Sequence, residues 1–134
     1  LYAHPDHLPE ERQASFARLR ETYDTDILDW SETPDWKGLE WMSVIHLFET
    51  PFYYIEYAIA QLAALQLYRR YTKDPDQTMK DFLSALALSQ THSVQDVYAR
   101  AGVSFLPSEV EIKELMAFLE GQIEVWTNEL EKTY

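Results

Sequence analysis

The scarcity of glycine constrains the fold of this chain more than any other feature of its sequence. Glycine occurs only at positions 38, 102 and 121 of 134 residues, while alanine, leucine, glutamate and glutamine are frequent. These four residue types favour helices, and no segment alternates apolar and polar residues as a half-buried strand does. The sequence has no internal repeat, and its length suits one domain with its own core. We therefore predict an all-α fold in which residues 1–134 form a single helical domain.

Helix-start and helix-end patterns divide the sequence into six predicted helices. Thr50-Pro51 fits a helix start, with Thr50 as the N-cap and Pro51 at the first helical position. The same pattern recurs at 74–75, and Ser93 is a further candidate N-cap. Gly102 suits the left-handed residue that ends a helix. The predicted helices cover residues 10–23, 39–48, 51–71, 75–88, 94–102 and 109–132, with an ordered loop over 24–37. The helix over 51–71 is apolar nearly all round, which predicts a central position for it.

Charge and composition exclude several classes of partner. The formal net charge is −12, and no run of Lys and Arg is longer than the pair at 69–70. A nucleic-acid-binding surface needs the opposite sign, so we expect no nucleic acid partner. Disulfides and thiolate metal sites are excluded because cysteine is absent, which is compatible with a cytoplasmic location. The longest apolar run, over 52–67, is interrupted by Glu56, Gln61 and Gln66, so we expect no membrane span.

The four histidines carry no zinc-peptidase motif. None of them is followed by glutamate, so the H-E-x-x-H pattern of a zinc-binding helix is absent. His4 and His7 are three residues apart, but Pro5 between them disfavours a regular helical pair. A surface turn is the interpretation that we favour for these two histidines, and no metal site is predicted in this chain.

The stretch over residues 46–58 (HLFETPFYYIEYA) holds the candidate functional residues. Tyr53, Tyr54 and Tyr57 fall within two turns of the predicted helix. Tyr53 and Tyr57 are four residues apart, so they share a face of that helix. His46, just upstream, can fold back over the helix start. Buried phenols need hydrogen-bond partners, since an unmade bond costs about 1–3 kcal/mol. One interpretation is that these phenols bond the backbone or a neighbouring carboxylate inside a core. The other is a row of neutral donors that faces a cleft and can hold an oxyanion.

This stretch, with the small-residue-rich segment over 58–65, resembles the C-terminal region of zinc peptidases of the thimet oligopeptidase/oligoendopeptidase F family. Further segments resemble the same proteins in the same order, one upstream at 1–7 and three downstream at 74–75, 87–89 and 101–103. The resemblance therefore covers essentially the whole chain. It implies a helical, clam-like peptidase that cleaves short peptides in a deep channel. It also implies a zinc held by H-E-x-x-H and a downstream glutamate, with the motif glutamate as general base. Since this chain lacks that motif, the resemblance makes it a C-terminal fragment of the catalytic domain that binds no zinc itself.

The resemblance also implies roles for individual residues. His46 matches the family histidine, and Tyr57 the last of the tyrosines, that reach across the channel to the substrate and the tetrahedral intermediate. These two are the candidate catalytic residues. Tyr54 is the better match to the preceding tyrosine in the thimet branch, and Tyr53 in the oligoendopeptidase F branch. Both are candidate substrate-binding residues, and which of them faces the substrate stays open.

The expected function is therefore the substrate-binding C-terminal segment of a zinc-dependent oligoendopeptidase. Its expected partners are short peptides and the N-terminal portion of the same protein. On its own the chain is expected to be inactive and to self-associate through exposed apolar surface. One alternative is a non-catalytic helical interaction module that lacks the zinc site, and another is an unrelated helical protein that binds a small ligand.

Overall fold

The computed structural model describes residues 2–23 and 27–132, and all regular secondary structure within these ranges is helical. The all-α prediction is thus confirmed. The six α-helices are α1 (Pro9–Tyr23), α2 (His46–Glu49), α3 (Ile55–Tyr71), α4 (Pro75–Leu88), α5 (Val94–Arg100) and α6 (Glu109–Glu131), and short 3-10 helices cover Pro34–Gly38, Glu40–Ser43 and Ser89–Thr91. The chain divides into two compact units, Leu1–Tyr54 and Ile55–Tyr134.

In the first unit, α1 packs against the 3-10 helix Pro34–Gly38. Gly38 is buried at this contact, and a Cβ built on it would stand 2.7 Å from the Cγ of Gln13. Glycine therefore allows the two segments to approach closely. Further along α1, the guanidinium of Arg20 pairs with the carboxylate of Glu40 at 3.0 Å, which joins α1 to the second 3-10 helix.

The predicted helix over 39–48 is wrong as a continuous element. The structure has the 3-10 helix Glu40–Ser43, then Val44 with φ −85° and ψ 85°, and then the single turn α2. A helix of this length is marginal without strong helix formers, and this segment is rich in residues of middling propensity. The predicted loop over 24–37 is irregular at 27–33 and forms a 3-10 helix at Pro34–Gly38, while residues 24–26 lie outside the described residues.

The helix predicted over 51–71 begins four residues later, at Ile55. Its C-terminal half is packed as predicted, with Ala63 and Gln66 buried. Its first two turns are not, since Ile55 is 62% exposed and Tyr57 is 51% exposed. The predicted central position therefore holds only for the second half of α3.

Small side chains form the core of the second unit, which allows α3, α4 and α5 to approach one another closely. Leu115 of α6 is 1% exposed and is the largest fully buried side chain among the described residues. The buried cluster is Ala63, Ala85, Ala101 and Val103, with Leu67, Val97 and Tyr98 packed against it.

Polar side chains of α3 hold the segment that joins α5 to α6. Gln66 is 8% exposed, and its amide donates to the Ser104 carbonyl (3.1 Å) and accepts from the Ser104 N–H (2.9 Å). Gly102 has φ 72°, as predicted for a residue that ends a helix. The guanidinium of Arg70 donates to the carbonyl that precedes Gly102 and pairs with Asp81 at 2.6 Å. These bonds fix the path of the chain between α5 and α6.

The predicted starts of α4, α5 and α6 are confirmed with their caps. The Asp74 carboxylate accepts from the N–H of Gln77 at 3.0 Å, and the Ser93 hydroxyl accepts from the N–H three residues later at 3.2 Å. Ser108 and Glu111 form a capping box, in which the Ser108 hydroxyl accepts from the Glu111 N–H and the Glu111 carboxylate accepts from the Ser108 N–H. Such local side-chain bonds satisfy backbone donors that a helix leaves unpaired.

Candidate functional site

His46 is positioned by α2, a single helical turn in the first unit. Backbone bonds from Phe48 N to Ile45 O (2.9 Å) and from Thr50 N to His46 O (3.2 Å) close this turn. The Phe48 ring also packs against Trp41, with ring centroids 5.8 Å apart. Because α2 is so short, His46 lies next to the segment that follows it in the chain.

That segment reverses direction in a turn over residues 50–53, which is why α3 does not begin at Pro51. Tyr53 N donates to Thr50 O at 3.1 Å, and Phe52 in the third position has φ 67°. A positive φ at the third position alone defines a type II turn, in which proline favours the second position. The Thr50-Pro51 pattern was misread as a helix start because the fixed φ of proline suits both structures. The left-handed backbone of Phe52 cannot continue a helix.

The turn brings two of the predicted tyrosines to His46. The His46 and Tyr53 rings stack with centroids 6.2 Å apart and planes inclined by 23°. The His46 and Tyr54 rings are 6.1 Å apart and inclined by 36°. We call these three side chains the His46 cluster. The two candidate substrate-binding tyrosines therefore both flank the candidate catalytic histidine.

Tyr57 lies in the second unit, on the first turn of α3. Tyr53 and Tyr54 precede this helix, so the prediction that Tyr53 and Tyr57 share a helical face is wrong. The interpretation that places the three phenols in a core does not describe this chain, because Tyr53, Tyr54 and Tyr57 are 40%, 47% and 51% exposed. All three are accessible to a ligand.

Two residues of the site were missed by sequence reasoning. The Tyr2 hydroxyl donates to the Leu47 carbonyl at 2.9 Å, and the Tyr2 ring lies 4.2 Å from the Phe52 ring, between centroids. The local sequence does not favour Phe52 in this turn, because the third position of a type II turn normally carries glycine or asparagine. Nothing in the local sequence indicates Tyr2, whose contact with α2 spans 45 residues.

The described residues do not provide a zinc site. Among residues 2–23 and 27–132, no three His, Asp or Glu side chains come together in a way that could hold a metal ion. The His4 and His7 rings stack at 4.5 Å with planes inclined by only 5°. Among the described residues, no third His, Asp or Glu side chain joins this pair to form a group that could hold a metal ion.

A cavity of about 360 Å³ also lies in the first unit. Its lining contains no carboxylate and includes Tyr2, His4, His7, Arg12, Phe16 and Leu19. The guanidinium of Arg12 is held by the carbonyls of His7 (3.0 Å) and Pro5 (2.9 Å). This cavity is the competing location for a ligand, so tests of the His46 cluster must distinguish the two.

Among the residues that the structure describes, no helix combines the length and the apolar character needed to cross a lipid bilayer. No protein-family model matches the sequence, and neither curated proteins nor solved structures yield a match.

Proposed function

We propose that this chain is the substrate-binding C-terminal segment of a zinc-dependent oligoendopeptidase of the thimet oligopeptidase/oligoendopeptidase F family, which cleaves short peptides. The observation that carries the proposal is the His46 cluster, in which an imidazole and two exposed phenols lie together. These are residues to which the sequence resemblance assigns contacts with substrate. Its proposed partners are short peptides and the N-terminal portion of the same polypeptide, in the cytoplasm.

The chemistry of the His46 cluster suits an extended peptide. The phenol hydroxyls of Tyr53 and Tyr54 are hydrogen-bond donors. The imidazole of His46 has two ring nitrogens, which donate or accept according to the tautomer. A peptide backbone presents alternating carbonyls and N–H groups, which these side chains can pair without reference to its sequence. Tolerance of many sequences is what a peptidase for short peptides requires.

Tyr57 is the proposed oxyanion donor. It lies in the first turn of α3, where unpaired backbone N–H groups and the helix dipole favour negative charge. A phenol O–H can donate a hydrogen bond to the carbonyl oxygen of the scissile bond. This hydrogen bond becomes stronger as the oxygen gains negative charge, so the phenol stabilises the transition state more than the bound substrate. The zinc is assigned to residues outside this sequence.

The experiment that tests this proposal is Tyr57→Phe in the full-length protein, with Tyr68→Phe as the matched control on the same helix. Tyr57→Phe keeps the ring and removes one donor, so we expect kcat to fall about 10²- to 10³-fold with KM little changed. Tyr68 donates to Gln122 at 3.1 Å, so its variant should lose about 1 kcal/mol of stability and keep its kcat. Equal kcat values for the two variants would contradict the proposed role of Tyr57.

Exposed apolar side chains favour the second candidate, a non-catalytic interaction module. On α6, Ile123 is 57% exposed, Trp126 is 48% exposed and Leu130 is 61% exposed. Such side chains suit contact with another protein surface. Under this alternative the full-length protein hydrolyses no peptide, so Tyr57→Phe has no peptidase activity to change. Peptide turnover by the full-length protein therefore separates the two functions.

A further inference from the structure

Phe52 combines a strained backbone with an exposed side chain. Its φ of 67° lies in the left-handed region, at a turn position that normally carries glycine or asparagine. Its ring is 71% exposed, so burial in a core does not offset the strain. Strained residues persist where surrounding contacts hold them, and they concentrate at functional sites. The ring of Phe52 contacts the ring of Tyr2, 4.2 Å away between centroids.

Tyr2 contacts both segments that carry the His46 cluster. Its hydroxyl donates to the Leu47 carbonyl (2.9 Å), which belongs to α2 next to His46. Its ring packs on Phe52, the residue directly before Tyr53 in the turn. A change in the backbone dihedral angles of Phe52 therefore reorients Tyr53 and Tyr54, which follow it directly. One side chain therefore links the position of the imidazole to the position of the phenols.

We propose that Tyr2 is a positioning residue, which holds α2 and the strained turn together so that His46, Tyr53 and Tyr54 keep one arrangement. Its purpose rests on the proposed function, because the arrangement matters only if the His46 cluster binds peptides. Without the Tyr2 ring, Phe52 relaxes toward negative φ and the two tyrosines move away from the imidazole. Tyr2 itself need not touch the substrate.

Three variants separate this role from a general contribution to stability. Tyr2→Leu removes both the ring and the hydroxyl, whereas Tyr2→Phe keeps the ring on Phe52 and removes only the bond to α2. Phe52→Ala removes the ring on which Tyr2 packs but keeps a Cβ, so the left-handed backbone loses its support. Tyr23→Leu is the matched control, since Tyr23 is a 77% exposed tyrosine at the end of α1.

The experiment measures nuclear Overhauser effects between the ring protons of His46 and those of Tyr53 and Tyr54 in the 134-residue chain, together with Tm. We expect these effects in the parent and in Tyr23→Leu, weaker ones in Tyr2→Phe, and none in Tyr2→Leu or Phe52→Ala. The Tm of Phe52→Ala should stay within about 4 °C of the parent, because relaxation of the strained backbone offsets the lost ring contact. A merely structural role would not remove the ring effects while leaving Tm in place.

Retention of the effects at full intensity in Phe52→Ala and Tyr2→Leu would overturn the proposal, and if Tyr2→Leu does not fold, Phe52→Ala decides. A fluorescein-labelled octapeptide titrated into the same samples tests the proposed function separately. We expect Tyr2→Leu to weaken its binding about five- to tenfold, as loss of one positioned hydrogen bond would. A parent chain that shows the ring effects but binds no octapeptide would reject the proposed function and leave the positioning role supported by geometry.

Discussion

Replacing Gly102 with alanine is expected to destabilise the second unit by about 2–3 kcal/mol. Gly102 has φ 72°, and the left-handed conformation costs a residue with a Cβ about 1–2 kcal/mol. A Cβ at this position would also overlap the guanidinium of Arg70. That guanidinium donates to the Ala101 carbonyl and pairs with Asp81, so its displacement disturbs both interactions.

The second part of this cost is the smaller one. A hydrogen bond from a charged donor contributes about 1.5–3 kcal/mol, and an ion pair that water reaches contributes about 1 kcal/mol or less. The Arg70 and Asp81 side chains are 31% and 26% exposed, so water screens their pairing in part. Arginine is long and can re-form some of these contacts from a shifted position. We therefore add about 1 kcal/mol to the backbone strain.

Urea unfolding followed by circular dichroism measures this loss, with Gly121→Ala as the matched control. Gly121 is inside α6, and a Cβ there meets no atom within 4 Å. Alanine is favoured over glycine in a helix by about 1 kcal/mol, so the control should gain stability. In an Arg70→Ala background, Gly102→Ala should cost only the strain, about 1–2 kcal/mol. A Gly102→Ala variant within about 0.5 kcal/mol of the parent would refute this reasoning.

Two further predictions concern the segment between α5 and α6. Gln66→Leu leaves the N–H and carbonyl of Ser104 without partners in a half-buried position, so we expect a loss of about 2–3 kcal/mol and faster hydrogen exchange at the Ser104 amide; unchanged exchange would contradict the pairing. The pKa of Glu111 is lowered by hydrogen bonds from the Ser108 N–H, the Ser108 hydroxyl and the Ser104 hydroxyl. The stabilising effect of the Glu111 carboxylate is therefore present above the ordinary carboxylate range and is lost as pH falls through the lowered pKa. The stability difference between the parent and Glu111→Gln should therefore shrink below about pH 4 in urea titrations, and a constant difference would contradict this.

Elements specified by neighbouring residues were predictable from the sequence. Ser93, Ser108 and Asp74 cap the helices that follow them because each side chain bonds an N–H three residues later. Gly102 ends α5 in the left-handed region because only glycine adopts it without cost. In these cases the chemistry that decides the structure lies within one helical turn of the sequence pattern.

Elements decided by distant contacts were not predictable. Thr50-Pro51 fits both a helix start and a type II turn, and in the structure Phe52 of that turn packs against Tyr2, far away in the sequence. From the sequence, Gln66 is only a polar residue that interrupts an apolar run, because its hydrogen-bond partner Ser104 is 38 residues away. The proximity of His46 to the tyrosines was predicted, but the position of Tyr53 before the start of the helix was not.

Nuclear magnetic resonance titration of the 134-residue chain with an unlabelled octapeptide tests the central claim most directly. If the chain binds short peptides through the His46 cluster, the ring signals of His46, Tyr53 and Tyr54 should shift together and saturate at one peptide concentration. Phe16 and Leu19, which line the cavity of the first unit, should keep their shifts. Saturable shifts confined to Phe16 and Leu19, or none at His46, would contradict the assignment of this cluster to peptide binding.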